Sequence, residues 1–263
     1  MKNGDMSPSL FESRTYSYYS RWLGKEDILN EDFQGIRYIY SAERNKTQAG
    51  YSKPFDLYLF CQPGRIAVSY GDKLVDGVDA LKARIDRVVE TGDLCSQPQK
   101  LTQALAEIFG VSPAHSVKFV FGRPADSDTK SRLLGKSDYG DYLDFFLANN
   151  PGCKDTGWIR EYFEEMADAG FCYGYYADGM LVSCTDAPDM PFMADAVREL
   201  GINTRLAYRG RGYGADACAA CIKHMLQRDI CPLWSAAADN MASQRLAAKA
   251  GFARLADVLA LTL

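Results

Sequence analysis

Short runs of β-branched and aromatic residues, bounded by turn residues, dominate the first half of the chain and predict β-strands. Two longer stretches in the same half place apolar residues at helical spacing. Together they predict a small α/β unit. The strands are predicted at 36–41, 56–62, 65–71 and 117–121, with a hairpin turn at Pro63-Gly64, and the helices at 77–90 and 98–109.

The second half predicts a longer order of elements, β-α-α-β-β-β-α-β-α-β. Asp178-Gly179 supplies the positive φ angles that a tight hairpin turn between two strands needs. Ser137 is placed to cap the first helix. The predicted elements are a strand at 131–135, helices at 137–150 and 156–170, the hairpin at 171–186, a strand at 197–208, a helix to about 228, a strand at 232–238, a helix at 240–251 and a final strand.

Residues 122–131 contain proline, aspartates and serines, and they predict a linker between the two halves. We therefore expect an N-terminal α/β domain of unknown role over 1–125 and a second domain over 126–263. Hydrophobic residues make up 47% and charged residues 24%, as in a soluble globular protein. With 30 basic and 34 acidic residues the net charge is −4, which argues against a general nucleic-acid binder.

The cysteine content and the lack of apolar segments predict a cytoplasmic protein without membrane spans. No secretory signal and no run of 18 apolar residues is visible, so the eight cysteines are expected to be reduced. Cys218 and Cys221 have the spacing of half a zinc site. They also share the apolar stripe of a helix with Ile222 and Met225, which favours a structural role and no metal.

Residues 208–214, YRGRGYG, lie between a predicted strand and a predicted helix. The first amides of a helix are unpaired and carry partial positive charge, so a glycine-rich turn there can close around phosphate oxygens. The alternative is that the glycines only permit a tight turn. Two familiar phosphate motifs fail: the glycines at 210, 212 and 214 do not have dinucleotide-binding spacing, and Gly135-Lys136-Ser137 lacks the first glycine of a triphosphate-binding loop.

A third pattern fits, and it resembles the GNAT superfamily of N-acetyltransferases. The acyl-CoA motif of that family, (Gln/Arg)-x-x-Gly-x-(Gly/Ala), is matched by Arg209, Gly212 and Gly214. The following helix of the family opens on asparagine and closes on Gly-Phe, as Asn240 and Gly251-Phe252 do here. The order of elements from Ser131 onward is also similar, so the resemblance implies a mixed, mostly antiparallel sheet flanked by helices, with the extra N-terminal domain.

The resemblance implies acetyl-CoA as the cofactor, bound where the strand at 197–206 diverges from the strand at 232–238. The diphosphate would lie on the amides of 209–215, and backbone groups of 203–206 would pair with the pantetheine arm. One such amide would face the thioester oxygen. Asn240 would turn towards the cofactor, or act only as an N-cap. The residues implied in cofactor binding are Asn203, Thr204, Arg205, Leu206, Arg209, Gly210, Arg211, Gly212, Tyr213, Gly214, Ala215, Asn240 and Ser243.

Acetyl transfer requires an amine that has lost a proton, and Glu199 is the expected base. It stands ten residues before Arg209, where some members of the superfamily have theirs; the alternative is a solvated glutamate. The tyrosine that commonly protonates the departing thiolate is replaced by Ala247, so the general acid is unassigned. Ser243 and Tyr208 are possible substitutes.

The short tail after Phe252 suggests that the sheet lacks a last strand or borrows one from the N-terminal half. That half would also wall the amine pocket, and its aromatic runs at 16–19 and 38–40 could stack on a ligand or belong to a core. The acceptor is expected to be a small amine, a lysine side chain or a peptide N-terminus. The alternatives are a CoA-binding module without turnover and, from a third class, a nicotinamide oxidoreductase.

Overall fold

The computed structural model describes residues 10–48, 51–90, 98–123 and 128–263. These residues form a mixed α/β fold in which helices flank two mostly antiparallel sheets. The helices are α1 Leu10–Leu23, α2 Val78–Glu90, α3 Pro98–Phe109, α4 Tyr139–Asn149, α5 Ile159–Ala169, α6 Tyr213–Gln227 and α7 Met241–Lys249. The strands are β1 Gly35–Tyr40, β2 Leu57–Gln62, β3 Arg65–Tyr70, β4 Ala114–Phe121, β5 Arg132–Leu133, β6 Tyr173–Ala177, β7 Met180–Asp186, β8 Val197–Glu199, β9 Gly201–Thr204, β10 Cys231–Ala237 and β11 Phe252–Leu261.

Most of the predicted elements are confirmed. Asp178 and Gly179 have φ angles of 53° and 73° in the turn between β6 and β7, and Gly64 has a φ of 77° between β2 and β3. Ser137 was expected to cap α4, and this prediction is wrong, because Asp138 occupies the cap position. The Asp138 side chain accepts a hydrogen bond from the Gly135 amide. Helix α1, which includes the aromatic run at 16–19, has no counterpart among the predicted elements.

The seven-stranded sheet has the order β1-β3-β2-β11-β4-β10-β8, so strands from both halves of the chain alternate in it. β4 lies between β10 and β11 and is antiparallel to both. β11 also pairs with β2. The C-terminal part therefore borrows strands from the N-terminal half, as the short tail suggested. The boundary near residue 125 stays a prediction, and residues 124–127 of the proposed linker lie outside the described part of the chain.

The two faces of this sheet are covered by different helices. α1 packs on one face, where its Tyr19 and Trp22 join a core that includes Leu233 of β10. α6 and α7 cover the other face, where Cys218 and Ala247 join a core with Trp234. Cys218 and Cys221 are fully buried, which confirms the apolar stripe. In the described residues, no group of three or more His, Cys, Asp or Glu is placed to hold a metal ion.

The prediction of one continuous strand over 197–208 is wrong, because the structure has two short strands there. The break lies at Leu200: β8 pairs in parallel with β10, whereas β9 pairs with β7 in the four-stranded sheet β5-β6-β7-β9. The strand ends at Thr204 and is followed by a 3-10 turn at Leu206–Tyr208. A Cβ at Gly201 would lie 1.8 Å from Asp186 Oδ1, so a larger residue there would displace the Asp186 carboxylate. The two sheets diverge from this point.

The turn between α7 and β11 shows why glycine occupies position 251 in the Gly251-Phe252 pair. Gly251 has a φ of 98°, and a Cβ there would lie 1.8 Å from the Arg123 carbonyl oxygen. The Gly251 oxygen also accepts a hydrogen bond from the Gly122 amide at 3.0 Å. The turn at Gly251 thus packs tightly against the residues that directly follow β4.

We expect Gly251→Ala to lower the free energy of unfolding by about 2 kcal/mol more than Gly152→Ala, because a methyl group at 251 must displace a carbonyl. Gly152 is a matched control: its φ of 97° imposes the same backbone strain, and no atom lies within 4 Å of the position that a methyl group would take there. Urea unfolding measures both losses. Equal losses would contradict a steric role for Arg123.

Candidate functional site

The glycine-rich turn at 209–212 joins β9 to α6 and is open on one side. Gly210 and Gly212 have φ angles of 77° and 90°, in the left-handed region that favours glycine. No atom lies within 4 Å of a Cβ placed on either glycine, so the space next to them is free. Gly214, in contrast, packs closely, since its Cβ would lie 3.1 Å from Thr204 Oγ1.

The backbone amides of residues 210–215 have no acceptor in the described part of the chain. The first helical hydrogen bond of α6 runs from the Asp216 amide to the Gly212 oxygen at 3.0 Å, and the amides before it are left unpaired. Gly212 occupies the cap position without a side chain that could satisfy them. The turn therefore presents a series of donors at the positive end of a helix, which suits an anion.

The one acidic side chain in the first turn of α6 does not compete for these amides. Asp216 accepts hydrogen bonds from the Lys130 amide at 3.0 Å and from the Ser131 amide and hydroxyl at 2.7 and 2.6 Å. Its charge is thereby directed towards β5. The two arginines also fold onto neighbours: Arg209 Nε donates to the Thr204 oxygen at 3.1 Å, and the Arg211 guanidinium lies 5.2 Å from the Tyr208 ring centre.

β9 is the outer strand of its sheet and has a free backbone edge. The Arg205 amide donates to the Val182 oxygen at 2.9 Å, so residues alternate from there in facing β7. The backbone groups of Asn203 and Arg205 are therefore directed at β7, and those of Ile202 and Thr204 face the open edge. Of the residues 203–206 that were predicted to pair with the pantetheine arm, only Thr204 therefore has its backbone groups at the open edge. Leu206 lies beyond the end of the strand, with 78% of its surface exposed.

Helix α7 brings Asn240 and Ser243 to the same region. Asn240 Oδ1 accepts the Ser243 amide at 3.0 Å, as an N-cap does. Ser243 Oγ accepts a hydrogen bond from Trp234 Nε1 at 3.1 Å, which leaves its hydroxyl proton free to be donated elsewhere. Ala247 is fully buried against the sheet. Tyr208, the other predicted acid, donates to Asp178 at 3.2 Å and does not line the cavity described next.

A cavity of about 680 Å³ opens where β8 and β9 diverge from β10. The predicted residues Glu199 and Ser243 line it, together with Ser235 and Lys118 from the seven-stranded sheet. Aromatic side chains from the N-terminal half form another wall: Tyr18, Tyr19, Trp22, Tyr51, Phe55 and Tyr58. Of the two aromatic runs that were expected to wall the amine pocket, residues 18 and 19 line this cavity, whereas Tyr38 and Tyr40 do not.

Glu199 is held in the cavity by a hydrogen bond from the Ser235 hydroxyl to its Oε1. The two residues lie on the neighbouring parallel strands β8 and β10. Burial raises the pKa of Tyr18 and of Tyr19 well above the usual range, and the negative charge of Glu199 raises these pKa values further. The Tyr19 hydroxyl has no hydrogen-bond partner in the described residues.

A second carboxylate, Asp186, lies at the end of β7 where the sheets diverge. Burial raises its pKa, and this effect is opposed by a hydrogen bond from the Tyr162 hydroxyl at 2.7 Å. Asp186 lines the large cavity and also a smaller one of about 280 Å³, which contains Asn203. Asn203, predicted as a cofactor contact, therefore directs its side chain to the opposite side of β9 from the glycine-rich turn.

The sequence patterns missed Lys118, Ser235 and Tyr19. Lys118 interrupts the apolar run of β4, and Ser235 interrupts that of β10, which are the only signals the sequence contains for them. Tyr19 belongs to an aromatic run whose position in the fold the sequence did not define.

No described helix has the length and apolar character needed to cross a membrane.

Comparison with known families agrees with the resemblance seen in the sequence. Residues 160–257 match the family model described as GNAT acetyltransferase. This region contains Glu199, β9, the glycine-rich turn and α7. The C-terminal part of the chain is therefore similar to the GNAT acetyltransferases over these residues. Among curated proteins, no match to the chain was found.

Among solved structures, the first described here shares the fold, and two others show a weaker similarity. A GNAT-family acetyltransferase from Colwellia psychrerythraea has a TM-score of 0.50 and 19% identity, covering 61% of this chain and 61% of its own. A GCN5-related N-acetyltransferase from Sphaerobacter thermophilus has a TM-score of 0.49 and 15% identity, covering 62% of this chain and 55% of its own. A ribosomal-protein-alanine N-acetyltransferase from Brucella melitensis has a TM-score of 0.42 and 20% identity, covering 49% and 95%. The chain thus spans less than two thirds of the Colwellia and Sphaerobacter proteins.

We expect Tyr19→Phe to leave the stability unchanged or to raise it by about 1 kcal/mol at pH 7, because it removes a buried hydroxyl without a partner. Tyr162→Phe is the matched control. It strips a hydrogen bond from buried Asp186 and should cost about 1–3 kcal/mol. Urea unfolding distinguishes the two, and a large loss for Tyr19→Phe would mean that the hydroxyl has a partner.

Tyr19→Phe also changes the response of the protein to alkali. Because the folded state raises the pKa of Tyr19, the stability from its neutral phenol is complete below pH 10 and declines as the pH rises further. Removing this one phenol should reduce the slope of stability against pH above 10 by about 1.4 kcal/mol per pH unit. An unchanged slope between pH 10 and 11 would contradict the assignment.

Proposed function

We propose that the chain is an N-acyltransferase that moves an acetyl group from acetyl-CoA to a primary amine by direct attack. One observation supports this proposal: three features lie together where β9 separates from β10. They are the unpaired amides of 210–215, the free edge of β9 and the cavity that contains Glu199. Each has a separate chemical use in acyl transfer, and the region that matches the GNAT family model contributes residues to all three.

The glycine-rich turn fits a diphosphate. Its free amides supply donors, the open space beside Gly210 and Gly212 admits phosphate oxygens, and Asp216 is occupied elsewhere. Ile202 and Thr204 would pair with the amides of the pantetheine arm. Asn240 uses only its oxygen as a cap, so its Nδ2 group, which has no acceptor in the described residues, remains free to donate to the cofactor.

Acetyl-CoA supplies a thioester whose carbonyl carbon accepts the amine. Glu199 takes the proton that an ammonium group must lose, and Ser235 keeps the carboxylate oriented for it. An amide on the β9 edge stabilises the negative charge that develops on the thioester oxygen. Ser243 is the remaining candidate for protonating the thiolate, since its hydroxyl proton is free and it lines the cavity.

The rival proposal is a CoA-binding module without turnover. It is favoured by one observation, the buried Ala247 where a catalytic tyrosine is common in the family. A nicotinamide oxidoreductase is the weaker third candidate, because the glycine spacing does not match a dinucleotide site.

We expect CoA and acetyl-CoA to raise the Tm of the protein, and NADH to leave it unchanged. Ligand at 100 times its Kd stabilises the native state by about 2.7 kcal/mol. Gly212→Ala should lose most of this rise, because a side chain at a φ of 90° reorients the amides and fills the open space. Gly152→Ala, at a φ of 97° in a remote turn, should keep it. Full CoA stabilisation of Gly212→Ala would refute the role of the turn.

We expect Glu199→Gln to lower kcat/KM for amine acetylation by about 10²- to 10⁴-fold, with CoA stabilisation unchanged. Release of free thiol from acetyl-CoA in the presence of an amine panel measures the rate. Glu161→Gln, on the exposed face of α5, is the control. If the wild-type protein is stabilised by CoA yet releases no thiol with any amine, the binding-module alternative is correct.

A further inference from the structure

Lys118 is a buried cation on the face of the seven-stranded sheet that lines the large cavity. Its neighbours in β4, Val117 and Phe119, face α6 and α7, so Lys118 faces α1 on the other side. Only 8% of the residue is exposed. The residue nevertheless lines the cavity, so a molecule inside can reach its ammonium group.

Lys118 has no ion pair and no hydrogen bond within the described residues. Its Nζ lies over the ring of Tyr19, 5.8 Å from the ring centre. A buried cation without an anionic partner destabilises the folded protein. A ligand that brings an anion into the cavity would remove this destabilisation.

The carboxylates around the cavity already have other partners. Asp257 of the adjacent strand β11 binds His115 at 2.7 Å and Arg254 at 2.6 Å. Asp186 accepts from Tyr162, and Asp189 pairs with Arg198. Glu199 accepts from Ser235. None of the described carboxylates forms an ion pair with Lys118.

Lys118 and Glu199 lie on either side of Ser235. Lys118 is directly opposite Ser235 in the β4–β10 ladder, where side chains are typically about 5 Å apart at Cβ. The Ser235 hydroxyl bonds to the Glu199 carboxylate on the next strand. The floor of the cavity thus places a cation and an anion close together, and an aromatic wall from α1 and β2 lies above them.

We propose that the amine acceptor is an α-amino acid with an aromatic or large apolar side chain. This inference rests on the proposed function. Glu199 receives the amino group, Lys118 holds the carboxylate, and the side chain packs against the aromatic residues, among them Tyr18, Trp22 and Tyr58. A free amino acid has adjacent positive and negative groups, which a lysine side chain within a peptide lacks.

The reaction balances with these residues. The ammonium group gives one proton to Glu199, and the nitrogen lone pair then forms the bond to the acetyl carbonyl carbon. The carbon–sulfur bond breaks with its electron pair remaining on sulfur, and the second proton leaving the nitrogen balances the protonation of that thiolate. The products are an N-acetyl amino acid and free CoA, and the carboxylate bound by Lys118 is unchanged.

The test compares L-phenylalanine with L-phenylalaninamide, which has the same shape without the negative charge. Free-thiol release from acetyl-CoA should give a kcat/KM about 10- to 100-fold higher for the acid, the range expected for one charge-assisted contact. Lys118→Met should abolish this preference, Lys118→Arg should keep part of it, and Lys223→Met, an exposed control on α6, should keep all of it. CoA stabilisation of each variant shows that it is folded.

A second measurement separates failure of the inference from failure of acyl transfer. L-phenylalanine should raise the Tm of the wild-type protein more than the amide does, and Lys118→Met should remove the difference. If the amide is acetylated as well as the acid, or if other amines are acetylated while both phenylalanine compounds are not, the inference is overturned and acyl transfer stands. If L-phenylalanine stabilises the protein through Lys118 without thiol release, acyl transfer fails and amino-acid recognition stands.

Discussion

The separation of one strand into two pairings at Leu200 is the constraint on which the site depends. The Leu200 amide still donates to the Leu233 oxygen of β10 at 3.0 Å, and Gly201 is already paired with Asp186 of β7. The glycine leaves room for the Asp186 carboxylate, which a Cβ at this position would displace. The divergence leaves one edge of β9 without a backbone partner in the described sheets and opens the cavity beside Glu199. It also directs the chain into the glycine-rich turn.

The N-terminal half completes the sheet on the far side of this opening. β4 supplies the central strand between β10 and β11, and α1 covers the face on which Glu199, Ser235 and Lys118 lie. The same half therefore contributes both to stability and to the wall of the cavity. This arrangement gives a physical reason for a chain longer than the 98 residues matched by the family model, from 160 to 257. The aromatic wall and the buried lysine lie outside the region that matches the family model.

The sequence predicted the elements well where local signals are strong. The Asp-Gly hairpin, the Asn240 cap and the helix after the glycine-rich turn all have short-range causes. Helix α1 was missed because its tyrosines favour strands, although Thr15, Tyr18, Tyr19, Trp22 and Leu23 are buried at helical spacing. The break at Leu200 and the meeting of Lys118 with Ser235 depend on strands far apart in the chain, and no local pattern reports such pairings.

The central claim is that the amides at the start of α6 bind the diphosphate of CoA. Titration of ¹⁵N-labelled protein with CoA, followed by amide chemical shifts, tests it most directly. We expect CoA to cause large shifts in the amide signals of Arg211, Gly212, Tyr213, Gly214 and Ala215. Pantetheine, which lacks the diphosphate, should leave these signals almost unchanged. Saturable CoA binding with no shift in this segment would contradict the account.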